Sequence, residues 1–379
     1  MIAPAIAGAL IIIVVLWDAF EVIILPRRVA RRIRLARLFY LSTWAPYRAV
    51  ARGIGSRKRR ETFLSFFGPM SLLLLFVLWA AVLIFGFGLL YYSAAVRHDP
   101  VLSSLRASLY LSGTTFFTLG LGDVTPHTST ERILAILESG LGFGFLALVL
   151  SYLPVIYQAF SRREVSIVLL DARAGSPPTA AEILRRHTGP HGLDSLQQLL
   201  RDWEGWSAQI LESHVSYPVV SYFRSQHSNE SWLAALAAIL DVSALMIANV
   251  ESACSRQARL TFAMCRHTVV DLAQVFYRRP PSHLHNRLPP ADLQRLKASL
   301  KEIGFHLQDT EAADKKLAEL RDMYEPYLQA LAAHLYVELP PWILAKEIVD
   351  NWRTSAWGRI SGLVVTGQTE ASADDHSDQ

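Results

Sequence analysis

Residues 118–123 read TLGLGD, and they close a run without a single charge between Arg106 and Asp123. On either side lies a segment long and apolar enough to cross a bilayer, which needs roughly 20 such residues for about 30 Å of hydrocarbon. Glycine at 120 and 122 permits positive φ, so this stretch can leave the helix that precedes it. Non-helical backbone at membrane depth survives only where protein buries it or where it lines a water-filled cavity. The fold is read outward from that constraint.

Three spans are expected: APAIAGALIIIVVLWDAFEVIIL (3–25), GPMSLLLLFVLWAAVLIFGFGLLYY (68–92) and ILAILESGLGFGFLALVLSYLPVIY (133–157). The first has no positive n-region and is followed by arginines instead of a small-residue cleavage site, so it reads as a permanent span. Charge sets the expected orientation. Residues 26–62 hold twelve Lys/Arg, whereas 93–132 hold only Arg97, Arg106 and Arg132. The positive-inside rule therefore puts 26–62 and the long C-terminal part in the cytoplasm, the N-terminus outside, and TLGLGD on the outer side. The formal net charge of +4 divides as +8 over residues 1–160 and −4 over 161–379, so the excess basicity sits beside the membrane.

A fourth apolar run, SWLAALAAILDVSALMIANV (231–250), carries Asp241 at its centre. An acid there costs about 2.5–3.5 kcal/mol on insertion, and a crossing would put Arg256, Arg259 and Arg266 on the wrong side. It reads as the buried central helix of the soluble part.

Residues 102–117 are about 24 Å long as a helix, too short to span and return, and suit a re-entrant pore helix dipping in from outside. After it, alternate left-handed residues would turn successive carbonyls to one side, and several chains around an axis would stack them into rings that replace a cation's hydration shell. Thr118 adds a hydroxyl at the inner end, and Asp123 holds negative charge at the outer mouth. The C-terminal end of the short helix directs its partial negative charge toward the inner cavity.

The pattern T-x-G-[YFL]-G-D, after a short helix and between two spans, resembles the signature of the pore-loop potassium channels over about residues 68–160. The resemblance implies a filter at Thr118, Leu119, Gly120, Leu121 and Gly122, with Thr115 and Phe117 in the pore helix. It also implies permeant K⁺ as the sole bound ion, and a homotetramer, because one loop per chain must close four-fold symmetry. Gly142, nineteen residues beyond Asp123, falls where the family has an inner-helix hinge. Pro154, lower in that helix, frees a carbonyl and suits a gate. Two positions depart from the pattern: Leu121 replaces the usual tyrosine, whose hydroxyl braces the filter, and Phe117 replaces a frequent threonine.

Other ionisable residues admit more than one role. Asp18 and Glu21 share a face near the inner end of the first span, as an ion pair with Arg27 and Arg28 or as a sensing element. Glu138 either lines the cavity or hydrogen-bonds the pore helix behind the filter. Arg28, Arg31, Arg34 and Arg37 recur every third residue, but a voltage sensor needs further spans. A juxtamembrane helix meeting anionic headgroups over Arg27–Arg37 explains the pattern. His127 faces the outer vestibule.

The expected organisation is an all-α membrane protein with three transmembrane helices and a re-entrant pore helix, followed by an all-α cytoplasmic domain. Its parts are an N-terminal span (1–25), a basic juxtamembrane segment (26–62), a pore module (63–160; outer helix 68–92, pore helix 102–117, filter 118–123, inner helix 131–158), a linker (161–178), a helical domain (179–366) and a disordered tail (367–379). Cys254 and Cys265 read as small buried apolar residues in a reducing compartment. No G-x-G-x-x-G, P-loop or zinc spacing appears, and neither a nucleophile–base arrangement nor nucleic-acid binding is expected. Trp203, Trp206, His214, Tyr217, Tyr222, His227 and Trp232 either pack a core or hold an unknown regulatory ligand, and His283 and His285 are similarly placed between roles. The expected function is K⁺-preferring conduction, with a weakly selective cation channel or a non-conducting membrane-anchored sensor as alternatives.

Overall fold

A computed structural model describes residues 2–25, 34–95, 101–226, 230–250, 254–276, 278–281, 283–305, 307–345 and 350. Among these the regular structure is entirely helical. The chain divides into two compact units, Met1–Gln158 and Ala159–Gln379.

In the first unit, α1 (Ile2–Ile23) packs along α4 (Phe67–Ala95). The two backbones approach closely at Gly8 and Gly86. A Cβ on Gly8 would lie 2.6 Å from the Gly86 carbonyl oxygen, and one on Gly86 would lie 2.8 Å from Ile12. Small residues at such a crossing let helices associate in lipid, where apolar burial gives no driving force. Between them in sequence run α2 (Leu35–Arg52) and α3 (Arg57–Ser65), both packed on α4 through Trp44, Tyr47, Phe63 and Phe67. The basic juxtamembrane segment is thus folded where it is described, while Arg27, Arg28, Arg31 and Arg32 lie outside the described residues.

The short helix α5 (Leu105–Phe116) packs on α4, and α6 (Ser129–Ala174) follows the TLGLGD strand. Helix α6 begins at a capping box. The Glu131 carboxylate accepts from the amides of His127 and Thr128 at 2.8 and 3.0 Å, and the Thr128 hydroxyl accepts from the amide of Glu131 at 3.3 Å. The helix runs unbroken past Pro154 for 46 residues. This corrects the expected boundaries: residues 161–174 are helix, not linker. SRREVSIVLLDARA contains no Gly or Pro, so nothing stops the helix before Gly175, which has φ +80°. Arg186 then donates to the terminal carbonyls of Asp171 and Ala172 at 3.2 and 2.9 Å, as a cation near a helix C-terminus should.

In the second unit, α9 (Trp232–Asn249) is wrapped by α7 (Ala180–Arg186), α8 (Gly192–Ser216), α10 (Cys254–Val275), α12 (Glu311–Asp322) and α13 (Glu325–Leu335). Among the described residues four helices qualify as membrane spans by length and composition, but the apolar window of α9 is 94% buried against 11% for α6. Helix α9 therefore already has its apolar surroundings. Asp241 within it is satisfied by a two-pronged bond from Arg287, at 2.5 and 3.2 Å, and by the Tyr324 hydroxyl at 2.6 Å. Burial pushes the Asp241 carboxyl up, and the Arg287 guanidinium and Tyr324 hydroxyl oppose it.

Helices α8 and α10 meet through Thr261, which donates to the Leu200 carbonyl at 2.8 Å, and Thr268, which donates to the Ser207 carbonyl at 3.1 Å. Helices α12 and α13 are separate elements. Pro326, in the first turn of α13, has no N–H to continue α12. Helix α11 (Pro290–Glu302) completes the set. The C-terminal end of the expected helical domain falls largely outside the described residues, as does the expected tail.

The rings of Trp203, Trp206, His214, Tyr222 and Trp232 are buried and pack on neighbouring helices. Their arrangement is core packing, with Trp203 against Trp206 and His214 against Trp232; His227 lies outside the described residues. Cys254 and Cys265 are free buried thiols, pushed up by burial to about 11 and about 12.

Candidate ion-conduction site

The strand begins at the C-terminus of α5, where the amide of Thr118 bonds the Thr115 carbonyl at 3.0 Å and the amide of Leu119 bonds the Thr114 carbonyl at 2.7 Å. This paired closure is a Schellman ending, and it requires a left-handed residue at position 118. Thr118 takes φ +56° there. For a β-branched side chain that conformation is an outlier, and such strain persists only where the surroundings over-determine it. Gly120 and Gly122 follow with φ +56° and +81°. Positive φ thus falls on every second residue, 118, 120 and 122.

The strand is exposed within the single chain. Phe117, Leu119 and Leu121 are each about 60% accessible, and a Cβ built on Gly120 or Gly122 would meet nothing within 4 Å. At its far end, the Tyr110 hydroxyl on α5 donates to Asp123 at 2.8 Å. The strand is therefore tied to α5 at both ends, by main-chain bonds at residues 118 and 119 and by a side-chain bond at Asp123.

Behind the strand, Ser112 on α5 touches both the Ile84 carbonyl oxygen of α4, at 2.8 Å, and Glu138 of α6, at 2.5 Å. Glu138 is completely buried within the chain, between α5 and α4. Thr115 also lies behind the strand, close to the Tyr91 hydroxyl of α4. Gly142 has a role that spacing alone does not reveal: a Cβ there would lie 2.0 Å from the Phe116 carbonyl oxygen. The end of the pore helix rests directly on the backbone of α6 at this glycine, with Phe116 against Phe145 beside it. Pro154 lies exposed within the continuous helix. His127 is exposed at the start of α6.

Asp18 and Glu21 are both buried, and each has partners among the described residues. Asp18 accepts from the indole N–H of Trp79 at 3.1 Å and from the amide of Ala36, in the first turn of α2, at 3.0 Å. Glu21 accepts from the Trp17 indole at 2.6 Å and pairs with Arg34 at 3.4 Å. These acids join α1, α2 and α4. Arg27 and Arg28 lie outside the described residues.

The sequence missed Tyr110, Ser112 and Trp79, each an ordinary residue on an apolar helix until its partner is placed. The Thr128–Glu131 cap was readable from its T-x-x-E spacing.

Two long helices flanking a short helix and a glycine-bearing strand define a pore-loop module. Residues 72–158 match a family model described as "Ion channel", and this segment is of the pore-loop channel superfamily. An "Uncharacterized membrane protein YdjJ" from Bacillus subtilis (strain 168) is 24% identical over 180 residues, covering 46% of this chain and 52% of the relative. The chain thus spans about half the length of that curated relative. No solved structure matches.

Proposed function

We propose that the chain is one subunit of a homotetrameric, K⁺-preferring channel. Its ions pass along an axis bordered by the carbonyl oxygens of Thr118, Leu119, Gly120, Leu121 and Gly122, with Asp123 at the outer mouth. The observation that carries this is the positive φ at 118, 120 and 122, since alternation of that kind turns successive carbonyls to one side. The exposed strand supports assembly around an axis, because one chain leaves that backbone uncovered. Orientation follows charge: the N-terminus outside, and the basic segment over Arg27–Arg37 against anionic headgroups on the cytoplasmic side.

Leu121 has no hydroxyl to brace the strand, and Tyr110–Asp123 is the side-chain tie that remains at the outer end. A weakly selective cation pore is the reading that this difference favours second. Purified protein in liposomes separates the readings. K⁺ flux with a reversal potential that follows the K⁺ gradient is expected, abolished in Gly120→Asp. A reversal potential indifferent to K⁺ against Na⁺ supports the weakly selective pore. Equal silence of wild type and Gly120→Asp defeats the channel.

A further inference from the structure

Glu138 sits among all three helices of the pore module and meets no cation: no Lys, Arg or His among the described residues pairs with it. The groups facing it are Ser112 of α5 and the Tyr91 hydroxyl of α4, which also lies beside Thr115. The nearest acid on its own helix is Glu131, already committed to the helix cap. Oε2 of Glu138 is buried, and the Tyr91 hydroxyl is the polar group beside the carboxyl apart from Ser112.

The protons can be counted. Ser112 Oγ lies 2.8 Å from the Ile84 carbonyl oxygen and 2.5 Å from Glu138 Oε1. A serine hydroxyl carries one proton, and a main-chain carbonyl carries none. If Ser112 gives its proton to Ile84, the contact with Glu138 is a hydrogen bond only when the carboxyl supplies the hydrogen. If Ser112 gives it to Glu138, two bare oxygens face each other at Ile84. A carboxylate here would also be a buried charge with no counterion, which protein interiors avoid.

We propose that Glu138 stands as an un-ionised carboxylic acid that donates to Ser112, which donates to Ile84, and that this relay positions the pore helix behind residues 118–122. The proposal deepens the channel reading above and rests on it. Polar chains of this kind strengthen one another when every member is satisfied and fail when one proton is missing. Loss of the Glu138 proton leaves a carboxylate competing with Ile84 for the single Ser112 hydrogen. The pore helix then loses its tie to either the outer or the inner helix, and conduction falls as pH rises.

The test uses the full chain in liposomes, with K⁺ flux and infrared absorption measured from neutral to alkaline pH. At neutral pH, wild type should show the carbonyl stretch of an un-ionised carboxylic acid that Glu138→Gln lacks. Glutamine keeps a donor at this position and cannot ionise, so E138Q should conduct as wild type does at neutral pH. It should hold that flux at alkaline pH, where wild type loses it several-fold. Glu138→Ala, which keeps no donor, should conduct several-fold less at every pH while still eluting as an assembled oligomer. Absence of the acid band, or E138Q as impaired as E138A, overturns the proposal. A wild type silent at every pH defeats the channel reading instead, and the infrared band then upholds or overturns the un-ionised acid by itself.

Discussion

Two apolar helices in this chain each carry a buried acid, and the protein treats them in opposite ways. Asp241 in α9 receives a guanidinium fork and a phenol, whereas Glu138 in α6 meets the hydroxyls of Ser112 and Tyr91 and, among the described residues, no cation. Helix α9 is enclosed by its own unit, and α6 leaves most of its apolar face bare. The difference shows where each helix finds its solvent. The surroundings of α9 are complete within one chain, so its acid can be a charge with a matched counterion. Helix α6 is left to be completed from outside the chain, and its acid sits where no counterion is offered.

The largest effect expected from this contrast is at Asp241. Arg287→Ala leaves a buried carboxylate without its partner, which costs about 3–5 kcal/mol. Thermal denaturation should show the second unit melting far earlier, and a melt unchanged from wild type would mean that the pair carries no weight. At Gly142 the expected change is smaller in energy and larger in function. Gly142→Ala places a methyl against the Phe116 carbonyl, overpacking by about 1–3 kcal/mol, and flux should drop while the melt of the second unit stays in place. Full flux in that variant would show the pore helix free to shift without consequence.

The smallest effect is on pH. His214 is held well below the ordinary histidine range, by burial and then by the Arg163 guanidinium, and burial lowers His187 too. Both are neutral when folded and take up protons more readily when unfolded. Their contribution is therefore fully present above about pH 6.5 and is lost as pH falls below it. Melting temperatures recorded down to pH 5.5 should decline, and less steeply in His214→Gln. An identical slope in that variant would remove His214 from the explanation.

Much of the fold was legible because membranes impose simple lengths. The spans, the short helix and the core position of 231–250 followed from hydropathy and one misplaced charge. The end of the inner helix was misjudged because leaving the membrane was equated with leaving the helix, whereas only Gly175 supplies a stop. For the candidate site, the glycine spacing was readable, but Ser112, Tyr110 and Trp79 were not. Each gains meaning from a partner 13 to 61 residues away. Gly142 carried a visible signal, and its contact with Phe116 could be known only once the two backbones were placed.

Arg163 indicates how the second unit holds its own end of α6. It is fully buried, donates to the carbonyls of Val220 and Phe223 at 3.0 and 2.8 Å, and pairs with Glu164 at 2.9 Å. These bonds fix Arg163 against the turn at Pro218–Tyr222 within the second unit.

The central claim is that several copies of this chain close a shared axis with the backbone of residues 118–122. A single-particle map of the purified protein in lipid nanodiscs with K⁺ tests it most directly. The account predicts four-fold symmetry with axial ion density between rings of main-chain oxygens. A two-fold particle, or four subunits whose strands face away from the axis, would contradict it.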